Sequence, residues 1–224
     1  MPNRKILQAA AEYRDQMRPA AEQVYRRHRA EVPRLIRQLA GPTQADHDHA
    51  FDLLVRMGDT IVSELLAALA DPSLDPIAAD EVVSLLGGTG DQRAREPVWA
   101  FFQAHRDDLE RASTAALSLA GLGDERVLPF VREALDAADE EIVANAVASL
   151  ITIGELEDVH RLRAVHRRHR HNSEIRMGVA NAILTILDHT DQHTLSRTLD
   201  RIQASFADRE LWADIWQLLE EAFG

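Results

Sequence analysis

Apolar residues recur along the chain at offsets of three and four. Ile142, Ala146, Leu150 and Ile153 are one such set, which a period of 3.6 places on a single helical stripe. The stripes are punctuated by strings that resemble one another: Arg56-Met57-Gly58-Asp59, Gly88-Thr89-Gly90-Asp91, Gly121-Leu122-Gly123-Asp124 and Thr152-Ile153-Gly154-Glu155. A fifth slot, Ile186-Leu187-Asp188-His189, lacks the glycine. The anchors at 58, 90, 123, 154 and 188 are 32, 33, 31 and 34 residues apart. Four residues before each stands a leucine (Leu54, Leu86, Leu119, Leu150, Leu184), and eight before a small or β-branched residue (Ala50, Val82, Ala115, Ala146, Ala180). Eleven after stands Leu69, Phe101, Ala134, Val165 or Leu199. Agreement at three offsets in all five copies identifies an internal repeat.

Each repeat predicts two helices. The first should stop at glycine, because a left-handed residue after a helix is cheap only without a Cβ. The acid that follows suits the free amides opening the second helix. Thr43, Asp75 before Pro76, Asp107 with Glu110 three on, Asp139 and Ser173 are the start signals for the first helices. The alternation and Asn-Gly turns that mark strands are missing from the sequence. A pair of this length cannot bury its own apolar faces, so successive pairs must stack. The expected organisation has N-terminal helices over 1–42, broken near Pro19 and Pro33, then repeats over 43–205. A C-terminal capping helix over 206–224 would cover the last pair with Leu211, Ile215, Leu218 and Leu219. Trp212 and Trp216, one turn apart, read as part of that cap rather than as an aromatic cage.

The stretch from Ala115 to Leu135, with Ala115-Ala116-Leu117-Ser118-Leu119-Ala120, then Gly121-Leu122-Gly123-Asp124, then Pro129, resembles a HEAT-type repeat. More narrowly it is similar to the short bacterial HEAT-like repeats also found in phycobilin lyases. The likeness extends over about residues 43–205, with Pro97 close to the matching proline place and Asp188 departing from the glycine. It implies an all-α, right-handed α-solenoid of about five HEAT-like helix pairs. It carries no catalytic residue, because function on such folds lives in sites and not in the repeat.

Charge refines this picture. The chain of 224 residues has 25 basic and 37 acidic side chains, a net −12. The stretches assigned to first helices carry 13 acids and three arginines, whereas those assigned to second helices carry 12 of each. In a solenoid of this type the second helices line the concave face, so an acidic exterior and a basic interior stripe are expected. The stripe is densest from His160 to His171, through Arg161, Arg163, Arg167, Arg168 and Arg170. Arg126, Arg132, Arg161, Arg163, Arg167, Arg168, Arg197 and Arg201 are therefore the candidate contacts for a partner protein with an acidic surface, attracted by charge and held by bidentate pairing. The competing explanation of the His160–His171 run is a solvated helix end whose cations oppose the dipole. All but one of the basic residues are arginine. GC-rich bacterial coding accounts for that bias more simply than a selected recognition chemistry.

Several chemistries are excluded or disfavoured. With no cysteine there is no disulfide, thiol nucleophile or Cys-based metal site. His166 and His169, His189 and His193, and Asp46-His47-Asp48-His49 have no further converging ligand in the pattern, so no metal and no cofactor are expected. Gly-x-Ser-x-Gly, His-Glu-x-x-His and phosphate-loop motifs are absent, so no enzyme is expected. HEAT-like alkylpurine DNA glycosylases and bilin lyases remain as alternatives. A net −12 opposes nucleic acid, and the second helix richest in arginine has no aromatic residue to stack a base. The longest stretch without Asp, Glu, Lys or Arg is 13 residues, Ile142–Gly154, too short to span a membrane. The expectation is a cytoplasmic, non-catalytic protein-binding module: an adaptor, an immunity protein or an assembly factor.

Overall fold

The apolar stripes fold as helices throughout, with no strand among the described residues. A computed structural model describes residues 4–223, with side chains from 5 to 222. The unit Arg4–Asp124 contains α1 (Arg4–His28), α2 (Val32–Gln38), α3 (Gln44–Met57), α4 (Val62–Leu69), α5 (Pro76–Thr89), α6 (Arg95–Ala104) and α7 (Leu109–Gly121). The unit beginning at Glu125 contains α8 (Leu128–Ala134), α9 (Glu140–Ile153), α10 (Val159–Arg168), α11 (Ser173–Leu187), α12 (Gln192–Gln203) and α13 (Arg209–Phe223). Among the described residues the chain is all-α, a succession of helix pairs.

Local chemistry sets the boundaries. Thr43, Asp75 and Asp139 cap α3, α5 and α9, accepting from the amides of Asp46, Ile77 and Glu141. Two starts fall one residue from the expected place. Asp108 rather than Asp107 caps α7 through the Arg111 amide. Asn172 rather than Ser173 caps α11 through Glu174 and Ile175. In both, the capping residue is the last one with extended backbone, which aims its side chain at the first free amides.

Gly58, Gly90 and Gly123 have φ of 55°, 66° and 74°. At Gly123 the turn is a complete Schellman closure, its amide bonding Ala120 O and the Asp124 amide bonding Leu119 O, both at 2.8 Å. Gly154 departs from the expected left-handed form, with φ −66°. There the constraint is space: a Cβ would overlap the Leu150 carbonyl and stand 2.8 Å from Ile186 Cδ1.

α1 corrects a second expectation, since it runs unbroken through Pro19. The proline removes one backbone donor, but tertiary contacts hold the helix on both sides of it. Arg18 Nη2 lies 2.5 Å from Asp59, and Ala21, Arg14 and Leu7 stand against Gly58, Gly90 and Gly123 in turn. Contacts every seven residues advance two helical turns, about 10 Å, close to the ordinary spacing of packed helices. One continuous helix therefore meets three successive repeat turns. The chain does break ahead of Pro33, through a 3₁₀ turn at Arg29–Glu31.

Leu54, Leu86, Leu119 and Leu150 are at most 1% exposed, as core anchors should be. The fifth repeat is in a different register. Leu184 is half-buried, and Val179, Ile183 and Leu187 occupy the core. This helix ends with Asp188 in the right-handed region instead of a glycine-closed turn. In the same unit Leu211 and Ile215 of α13 are fully buried, while Leu218 and Leu219 are half-buried. Trp212 and Trp216 pack edge to face at 5.8 Å, and Trp216 remains 48% exposed.

Close helix packing uses small residues. A Cβ on Gly87 of α5 would stand 2.6 Å from Ser118 Cα of α7, whereas one on Gly88 would meet open space. Gly87→Ala is expected to destabilise by about 1–3 kcal/mol through overpacking. Gly88→Ala should be stabilising by about 0.5–1 kcal/mol through helix propensity. Paired thermal melts of the two variants check the opposite signs.

Candidate functional site

The arginines of the second helices divide by what holds them. Arg132, on α8, donates through Nε to Asp158 Oδ1 at 2.7 Å and through Nη2 to Asp158 Oδ2 at 3.0 Å. The same Nη2 lies 2.9 Å from Glu155 and 2.7 Å from Glu157. Asp158 is fully buried at the end of the 3₁₀ turn Leu156–Asp158, where it also accepts the Glu155 amide at 3.0 Å. The Asp158 bonds, aided by Glu155, hold the Arg132 guanidinium even further above its ordinary pKa.

Arg163 and Arg167 lie one turn apart on α10 and converge on Asp208, which is also fully buried. Arg163 donates through Nε at 3.0 Å and also through Nη2, and Arg167 through Nε at 2.8 Å. Burial pushes the Asp208 carboxyl up, but bonds from Arg167 and Arg163 more than offset it and leave its pKa below the usual aspartate range. The unit Arg4–Asp124 has related pairs: Arg18 with Asp59, and Arg95 Nε at 3.5 Å from the buried Asp124. Much of the basic stripe thus balances carboxylates at the repeat turns.

Three further candidates are also held. Arg168 donates to Asp136 at 2.8 Å, to the Leu135 carbonyl and to His169 Nε2 at 3.1 Å. Arg161, 39% exposed, lies 3.6 Å from Asp158. Arg126, in the turn Glu125–Val127, is engaged as well.

Arg197 and Arg201 differ. They lie one turn apart on α12, both exposed, with no hydrogen bond or ion pair among the described residues. With Thr194 and Thr198 of the same helix, they line a cleft of about 180 Å³ completed by Leu156, Val159, His160 and Arg163. His160 is oriented by its Nδ1 against the Glu157 carbonyl, and Leu156 is 43% exposed. The cleft combines unneutralised guanidinium donors, threonine hydroxyls and an apolar lip. Such a surface can pair with a carboxylate and cover the aliphatic stem behind it. Its threonines, His160 and Leu156 carry no charge run, and only the three-dimensional approach of α12 to the head of α10 brings them together.

The histidines are engaged separately. His166, 1% exposed, bonds Asp214 through Nε2 at 2.7 Å, and Arg176 Nε donates to the same carboxylate at 3.0 Å. That carboxylate raises the Arg176 pKa. His169 Nδ1 is 3.1 Å from Glu140. His47 is held by Asp48 and Glu81, whose hydrogen bonds raise its pKa. Among the described residues no group of three or more His, Asp or Glu could hold a metal ion. None of the described helices is long and apolar enough to cross a membrane.

No protein-family model matches the chain, and no curated protein matches it. In three dimensions it is similar to a computationally designed armadillo repeat protein for modular peptide recognition, with 18% sequence identity, 85% of this chain and 99% of that chain covered, and a TM-score of 0.42.

Proposed function

We propose that the protein is a non-catalytic, HEAT-like protein-binding module that docks an acidic segment of a partner at the cleft of Arg197 and Arg201. The observation that carries this reading is the contrast among its cations. The arginines of α8 and α10 spend their charge on buried or nearby carboxylates, while two on α12 remain unpaired beside a cleft with an apolar lip. The arrangement suits a glutamate or aspartate side chain presented by another protein, bound first by charge and then by bidentate contact. An adaptor, an immunity protein or an assembly factor would use such a surface. Arg161 and Arg168, at 39% and 42% side-chain exposure, are the next candidates to touch the same partner.

The test uses the purified chain, an oligoglutamate peptide and labelled duplex and single-stranded DNA across a salt series. Binding of the peptide that weakens with salt supports the reading, together with its loss in Arg197→Glu/Arg201→Glu at an unchanged melting temperature. The double reversal should leave stability within about 0.5 kcal/mol, because both side chains are exposed and unpaired. Micromolar DNA binding with a steep salt dependence would instead favour the nucleic-acid alternative. Peptide binding that survives the double reversal would remove the cleft from the account.

A further inference from the structure

A second concavity lies within the unit Arg4–Asp124 and shares no residue with the basic cleft. It has a volume of about 600 Å³, within the range of ligand-binding sites. Pro33 and Ile36 on α2, Ala40 in the turn after it, Ala67 and Ala68 on α4, and Ala78 on α5 form its apolar wall. The space exists because small residues face one another there. In the next repeat the position of Ala67, nine after the anchor, is taken by Trp99.

The rim of this groove is acidic. Glu64, Asp71 and Asp75 line it against one guanidinium, that of Arg37. Each carboxylate has a single oxygen committed to the fold. Glu64 Oε1 accepts from the Tyr25 hydroxyl at 2.6 Å, Asp71 Oδ1 from the Ser73 amide and hydroxyl at 2.9 and 2.7 Å, and Asp75 Oδ1 from the Ile77 amide at 2.9 Å. Glu64 Oε2, Asp71 Oδ2 and Asp75 Oδ2 have no partner among the described residues. The Ser73 bonds also keep Asp71 below its ordinary pKa, so it stays ionised. Anchored carboxylates around an alanine-lined wall match a ligand with an aliphatic stem and a terminal cation.

We propose that this groove takes a lysine side chain presented by a partner polypeptide. The four methylenes of lysine lie along Ala67, Ala68 and Ile36, its ammonium meets the free carboxylate oxygens, and Arg37 donates to a carbonyl of the same partner segment. Arginine suits the site less well, because its planar fork seeks paired oxygens in one plane and the free oxygens come from three separate side chains.

The test is a nuclear magnetic resonance titration of the full chain labelled at alanine methyls. The probes are Nα-acetyl-lysine N-methylamide and its norleucine and glutamate counterparts. The expected result is a saturable shift of the Ala67, Ala68 and Ala78 methyls with the lysine compound, and markedly weaker binding of norleucine. Glu64→Gln and Asp71→Asn should each weaken the lysine compound by up to about five-fold, the range of an exposed ion pair. Both substitutions keep the oxygen that accepts from Tyr25 or Ser73. Ala67→Trp, at an exposed position, should abolish the shifts of Ala68 and Ala78 while leaving the melting temperature unchanged. Norleucine binding as tightly as lysine, preference for the glutamate compound, or no saturable shift up to the solubility limit of the lysine probe would each overturn the proposal.

Discussion

Replacing Arg163 and Arg167 together by glutamate is expected to lower the melting temperature steeply, whatever it does to partner binding. Both guanidinium groups answer one carboxylate, Asp208, that has no exposed surface. The reversal leaves that charge without a counterion and sets two further carboxylates against it. Breaking a buried ion pair from one side costs about 3–5 kcal/mol, far more than the pair contributes over an apolar replacement. Most of this falls on Arg163, whose side chain is 22% exposed; Arg167, at 43%, is screened by water and adds at most about 1 kcal/mol. Adding Asp208→Asn to the double variant should recover part of the loss by removing the repulsion. The same group contributes to acid behaviour. Its folded pKa lies below that of an unfolded aspartate, about 3.9, so its contribution is complete above that pH and disappears as pH falls through the folded value. Thermal melts from neutral pH down to pH 2.5, for the native chain and Asp208→Asn, should show the shallower acid decline in the variant. An Arg163→Glu/Arg167→Glu protein that melts like the native one would refute the structural role of these arginines.

These arginines also show where one sequence stops being legible. Period and punctuation carry the helices, because each first helix must bury one stripe and close at a turn whose stereochemistry admits few residues. Leu54, Leu86, Leu119 and Leu150 are core residues for that reason. A charge run contains no such geometry. His160–His171 reads as a basic surface, yet Arg161, Arg163, Arg167 and Arg168 within it are answered by Asp136, Asp158 and Asp208, as far as 45 residues away. The recurrence of an aspartate near each turn (Asp59, Asp91, Asp124, Asp158) was the available signal that acid has a structural task here. Asp208 stands outside the repeat period and gave none. The cleft of Arg197 and Arg201 has its charges in the pattern, but its hydroxyls and apolar lip come from helix packing alone. Pro19 errs the other way: a local rule against proline within a helix yields to contacts that anchor α1 to successive turns.

The fifth repeat gives the sharpest quantitative contrast between pattern and packing. By period Leu184 is the counterpart of Leu150, and truncating either to alanine should then cost the same. In the folded chain Leu150 is fully buried on α9, whereas Leu184 is half-buried and Ile183 has no exposed surface. Loss of a buried leucine or isoleucine side chain removes its transfer free energy and leaves a cavity that the neighbours fill only partly. Leu150→Ala and Ile183→Ala should each cost about 2–5 kcal/mol. Leu184→Ala gives up only part of a side chain already in contact with water, and about 1 kcal/mol is expected from the area it buries. The two adjacent substitutions on α11 change nearly the same number of atoms and share one helix, so propensity differences are small. Their order under urea denaturation therefore reports the register of α11. If Leu184→Ala is the costlier of the two, α11 keeps the period of the preceding repeats, and the rotation that places Val179, Ile183 and Leu187 in the core is wrong.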